Sequence, residues 1–146
     1  MITSGYIWPR PTYLTGQEIG LGDWVKVYVP RLGIWHHGIV SGIHPDCDGF
    51  VVEIAHNTKA SGVTISDWYD FSEGSQVHLY RQASSEPVQQ ILERVEANIG
   101  KPYSVFAQNC EHFASFAFTG QAESKTVQGA GLITALALCI GLLARR

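Results

Sequence analysis

The chain has 146 residues, enough for one domain with a real core, and an ordinary apolar fraction beside a low content of charged side chains. Its net charge of −3, with no basic stripe, excludes the electrostatic footprint of a nucleic-acid binder. Three cysteines, Cys47, Cys110 and Cys139, are widely spaced and odd in number. They form neither a zinc pattern nor a disulfide framework, which predicts a reducing compartment and no metal or cofactor.

Residues 1–20 lack the basic and apolar regions of a signal peptide and carry Pro9, Arg10 and Pro11, so an N-terminal extension draped over the domain is expected. Gly22-Asp23 marks a turn. From Trp24 to Val29 the residues alternate, Trp24, Lys26 and Tyr28 against Val25, Val27 and Val29, which predicts a strand ended by Pro30. Ile34–Ser41 and Phe50–His56 read as a hairpin around a polar turn, His44 to Gly49. Val63–Ile65 is a short strand, Asp67–Phe71 one helical turn or loop, and Gln76–Arg81 a further strand.

The period then changes. Val88, Ile91, Leu92, Val95 and Ile99 share one face of a helix, with Ser85 as the expected N-cap, Gly100 as the terminating residue and Pro102 beyond it. A breaker-rich loop through Tyr103 and Ser104 leads to Asn109-Cys110-Glu111-His112-Phe113 and a short apolar helix ending at Gly120. Cys110 is thereby placed at a helix N-terminus, where the dipole favours a thiolate. Strands followed by helices imply an α+β fold with an antiparallel sheet packed on helices. Val127 to Ala144 contains no charge, and Leu132 to Leu143 is apolar on all sides. Residues 128–146 are therefore read as a hydrophobic tail and membrane anchor, with a C-terminal core helix as the alternative.

Six histidines need sorting. His44 falls in the polar turn and His78 on a strand with polar neighbours. His112 is two residues from Cys110 on a helix, so the two side chains do not face each other. His36 and His37 are adjacent on a strand and point to opposite faces. His56 closes the next strand, so a hairpin can set His36 beside His56. A thiol, an imidazole and an orienting polar group make a coherent set for attack on a carbonyl. From spacing alone the alternative also stays open, and is the commoner arrangement: satisfied core histidines and an inert buried thiol.

Three stretches, Gly22-Asp23-Trp24-Val25-Lys26-Val27, His36-His37-Gly38-Ile39-Val40-Ser41-Gly42 and Asn109-Cys110-Glu111-His112-Phe113, carry a resemblance to the lecithin:retinol acyltransferase-like family. This includes the H-Ras-like suppressor phospholipid acyltransferases and is related to NlpC-type papain-like hydrolases. The likeness covers residues 21–127, departing from the family at Val40, in place of a tyrosine, and in the longer turn before Phe50. It implies a catalytic domain of permuted NlpC/papain-like fold, with Cys110 as nucleophile and His36 as general base. The orienting residue it implies is His56, with Glu53 as the rival; three positions apart on a strand, only one can serve. The implied reaction is acyl transfer or phospholipase A cleavage of phospholipid esters at a membrane surface, on its cytoplasmic face, without cofactor. A cysteine amidase or peptidase, and a non-catalytic membrane or interaction module, are the competing classes.

Overall fold

The computed structural model describes residues 19–47, 49–83, 87–105, 108–125 and 127–129. Their elements run β1 (Trp24–Val29), β2 (Ile34–Asp46), β3 (Gly49–Thr58), β4 (Gly62–Asp67), α1 (Trp68–Ser72), β5 (Val77–Arg81), α2 (Val88–Asn98) and α3 (Cys110–Thr119). The expected α+β architecture is present. The five strands form one sheet in the order β4-β3-β2-β1-β5, antiparallel at every pairing.

The alternation in β1 sorts the core into two layers. On one face Trp24, Ile39 and Ala55 pack under Ile91 and Val95 of α2 and Phe113, Ala114, Ala117 and Phe118 of α3. On the other, Val25, Val27, Val40, Val52 and Ile54 pack on Trp68 and Phe71 of α1. Small residues set the spacings. Ala114 and Ala117 are fully buried. At Gly38 an added Cβ would meet the Ile54 side chain at 2.5 Å and the Phe71 ring at 2.9 Å, so the absence of a side chain there lets α1 close on the sheet.

Two elements differ from expectation. The segment His44 to Gly49 is not a long turn: β2 and β3 stay paired through Pro45↔Phe50 and Asp46↔Gly49, leaving residues 47–48 as the connection. β1 pairs with β2 only as far as Trp24↔Ile39, so among the described residues no strand pairs with the other edge of β2 beside Pro45, whose missing N–H breaks no ladder bond there. The N-cap of α2 is Pro87, in an extended conformation and without a side-chain cap, rather than Ser85, which lies outside the described residues. Gly100 does terminate this helix, at φ +84°. At Trp68–Ser72, where one helical turn or a loop was expected, one turn of helix forms, the Asp70 N–H capped by the Asp67 side chain.

Asp23 ties the start of the sheet to its last strand. One carboxylate oxygen accepts the Gly20 N–H at 2.8 Å and the other the Ala83 N–H at 2.7 Å. Gly22, at φ +83°, lies close to Ala83, whose Cβ an added side chain would meet at a tight 3.2 Å. Most of the expected extension (residues 1–20) and of the expected apolar tail (residues 128–146), namely 1–18 and 130–146, lies outside the described residues. Among those described, no helix is long and apolar enough to cross a membrane.

Candidate active site

Cys110 is the first residue of α3 and is buried. The capping box fixes that start. Asn109 accepts the His112 N–H through its side chain at 2.9 Å, and the His112 ring faces the Asn109 N–H in return at 3.5 Å. Asn109 also donates to the Val105 carbonyl and to the Ser124 hydroxyl. His112, the histidine nearest to the thiol in sequence, is thus spent on the helix terminus. The loop before it is held from the sheet, where Asn57 at the end of β3 donates to the Gln108 carbonyl at 2.7 Å.

Burial pushes the Cys110 thiol above its ordinary value, and the neighbouring Glu111 carboxylate pushes the same way. Against them, the backbone N–H groups of His37, Glu111 and Cys110 itself favour the thiolate. The first of these donors locates the sulfur. It hydrogen-bonds the peptide that joins His36 to His37, just outside the last β2–β3 pair, Gly38↔His56. The two imidazoles leave that peptide on opposite faces of the sheet.

On the α1 face, His36 and His56 meet ring nitrogen to ring nitrogen, Nε2 to Nδ1, at 2.7 Å. Both rings lie against Phe71, with centroids 5.4 and 5.3 Å from its own. The second nitrogen of His56 reaches the Ser66 hydroxyl on β4 at 2.8 Å. Burial lowers His36 to about 3, helped by His56 and then His37, and lowers His56 to about 4. Both are neutral at neutral pH, so one proton register must serve the whole chain of contacts. If His56 Nε2–H donates to Ser66, then His56 Nδ1 accepts from His36 Nε2–H. That leaves His36 Nδ1 as a bare lone pair, able to take a proton. The opposite register would leave an N–H there and no base.

On the α3 face, His37 accepts the Trp24 indole N–H on Nδ1 at 2.9 Å, and Trp24 and Tyr80 surround the ring edge-on. Burial lowers His37 to about 4, with Glu111 opposing. A neutral imidazole that accepts on Nδ1 carries its proton on Nε2. His37 is therefore a donor in this arrangement and has no lone pair to offer.

Glu53 stands away from this group. It lies on the Ala55 side of β3, bound to His44 at 3.0 Å near the outer end of the hairpin. Tyr103, not singled out from the sequence as a site residue, is near enough that charge on Cys110 joins burial in raising its phenol, which stays a proton donor. Ser66 was also missed, since one polar residue on a half-buried strand carries no signal until the pairing is known. No group of residues suited to hold a metal ion occurs among the described residues.

The family model described as lecithin retinol acyltransferase matches residues 17–123. No curated protein matched the chain in a sequence search. The match spans β1 to β5 and α1 to α3, and the chain belongs to the lecithin retinol acyltransferase family. Membership suggests acyltransferase or phospholipase-type chemistry.

Proposed function

We propose that, as a member of that family, the chain is a thiol acyltransferase and phospholipase A that takes acyl groups from glycerophospholipid esters through a Cys110 thioester. The observation that carries this reading is the sulfur's place. It sits on the His36–His37 peptide at a helix start, and the ring of His36, the residue that begins that peptide, is linked to His56 and Ser66.

In this reading His36 Nδ1 takes the thiol proton as Cys110 Sγ attacks the ester carbonyl. His56 holds His36 in the productive tautomer by accepting its Nε2–H. A preformed ion pair is not needed. The thiol is raised and the imidazole lowered, so the proton moves only when the carbonyl is in place. The N–H groups of the α3 start are already engaged, with the sulfur and with the Asn109 cap. The Tyr103 hydroxyl, near enough to feel charge on the sulfur, is the donor proposed to meet the oxyanion as it forms. Collapse expels the lysophospholipid alkoxide, which takes the proton from His36. The thioester is then cleaved by water, giving phospholipase activity, or by an amine or hydroxyl, giving acyl transfer. A membrane surface is the proposed site of encounter, and the tail beyond the described residues its anchor.

The test is intact-mass detection of an acyl adduct after incubation with phosphatidylcholine vesicles. The adduct is expected on the wild-type chain, absent in Cys110→Ala and strongly slowed in His36→Gln. No adduct and no released fatty acid, with turnover of a peptide or amide panel, would replace this reading by an amidase. Loss of all turnover with the biological effect intact in Cys110→Ala would leave a non-catalytic module.

A further inference from the structure

Four of the large exposed apolar side chains crowd into eight residues at the β1–β2 hairpin: Tyr28 (42 % exposed), Leu32 (51 %), Ile34 (42 %) and Trp35 (40 %). They surround the hairpin end rather than one side of it. Tyr28 and Trp35 are cross-strand partners stacked edge-on at 5.4 Å, Ile34 pairs with Val29 on the opposite face, and Leu32 lies in the turn. The turn itself is tight, with Gly33 at φ +66° and its N–H bonded back to the Val29 carbonyl at 2.9 Å. A stiff hairpin end, apolar all round, with one tryptophan and one tyrosine behind the tip, has the composition of a membrane-interface wedge.

The charge distribution points the same way. Although the chain is net negative, no Asp or Glu occurs between Asp23 and Asp46, and the charged residues there are Lys26 and Arg31. Lys26 lies over the Trp35 ring at 4.3 Å, and Arg31 reaches Glu73 of the neighbouring turn only at 3.9 Å in an exposed pair. Such a pair is easily exchanged for a lipid phosphate. The hairpin is also continuous with the site. Trp35 immediately precedes His36, and the peptide after His36 holds the Cys110 sulfur. From Ile34, where β2 begins, to His36 is two residues of extended chain, about 7 Å at strand rise, with the turn beyond it. A tip sunk about 5–10 Å into the headgroup boundary would hold the thiol just above the esters.

We infer that the β1–β2 hairpin end, Tyr28 to Trp35, inserts into the surface of an anionic phospholipid bilayer and presents the Cys110 site to it. This rests on the phospholipid reading for its purpose but not for its test.

The experiment uses the full chain and phosphatidylcholine vesicles containing a minor share of phosphatidylserine, with two readouts. The first is co-sedimentation of wild type and Leu32→Asp, alongside turnover of a soluble p-nitrophenyl ester. Removing the tip should weaken vesicle binding about tenfold, the scale of one buried leucine, and leave the soluble ester's turnover unchanged. The second is fluorescence quenching by acyl-brominated phospholipid in wild type and Trp35→Phe. Trp24 and Trp68 are each only 5 % exposed and Trp8 is common to both proteins, so the difference between the two proteins isolates Trp35. Quenching that falls in Trp35→Phe is expected. Equal quenching in both proteins, no vesicle binding at all, or a Leu32→Asp change seen only as dissociation of a protein oligomer would each overturn the inference. Hairpin-dependent binding without a Cys110 acyl adduct would leave the inference standing and sink the proposed function instead.

Discussion

Acid should unfold this domain earlier than its modest charge suggests, because three neutral histidines are buried together. His36 is lowered to about 3, and His37 and His56 to about 4, from an ordinary 6.5, in each case first by burial. Each folded value lies below the unfolded one, so the unfolded chain binds more protons in acid. The stability is fully present above pH 6.5 and is lost as pH falls from there toward 4 and 3. Between about pH 7 and about pH 5 an unfolded histidine takes up most of a proton that its folded counterpart refuses. This amounts to about 2 kcal/mol per site. Three independent sites would total about 6 kcal/mol, comparable with the whole stability of many domains. The assay is urea unfolding at several pH values across that window. Replacing one of the three, as in His36→Asn, should remove about a third of the slope. An unfolding free energy that changes by less than about 1 kcal/mol over the window would refute the claim that these rings are buried in the neutral form.

Other outcomes follow from the same contacts. Ser66→Ala removes one neutral hydrogen bond of about 1 kcal/mol from the relay, so kcat should fall about fivefold with KM unchanged, and Ser66→Thr should restore it. A kcat equal to wild type in Ser66→Ala would mean that His56 holds its tautomer without help. Iodoacetamide labelling of Cys110 should be slow at neutral pH and still rising past pH 9, because burial raises the thiol; a plateau near pH 7 would contradict this. Gly62→Ala should cost at least about 2 kcal/mol in thermal or urea unfolding, since φ is +68° and the new Cβ would press on the Lys101 carbonyl and Pro102. Full stability there would mean that the α2–α3 loop does not pack on β4, where the Val63 N–H bonds the Lys101 carbonyl at 2.9 Å and the Gly100 N–H the Val63 carbonyl at 2.8 Å.

Local signals carried much of this fold. Alternation in β1 marked its two faces correctly, the glycine after α2 marked its end, and the Pro- and Gly-rich loop before Asn109 put Cys110 at a helix start. The hairpin reading set His36 beside His56, and the strand period sent Glu53 to the opposite side. What stayed hidden was of two kinds. His44-Pro45-Asp46 has turn chemistry, and only the unpaired outer edge of β2 lets it continue as strand. The role of Ser66 depends on the β3–β4 register, and that of the His36–His37 peptide on where α3 docks. Neither is encoded in the spacing of neighbouring residues. The resemblance singled out His36 over His37, but the Trp24 indole on Nδ1 of His37 could not be read from spacing.

The Gly22-Asp23-Trp24 opening has a bearing on how chains of this kind are recognised. Its aspartate receives two backbone N–H groups on two different oxygens, so even asparagine, with one oxygen, would turn an amide nitrogen toward a donor. Its glycine clears space for Ala83, and its tryptophan fixes His37. These are conditions for assembling the sheet, and none of them involves the sulfur. A chain that kept this opening and lost Cys110 alone would keep these contacts and, on the proposed mechanism, transfer nothing. An inventory drawn from the opening alone would then count sheets rather than the proposed catalysts.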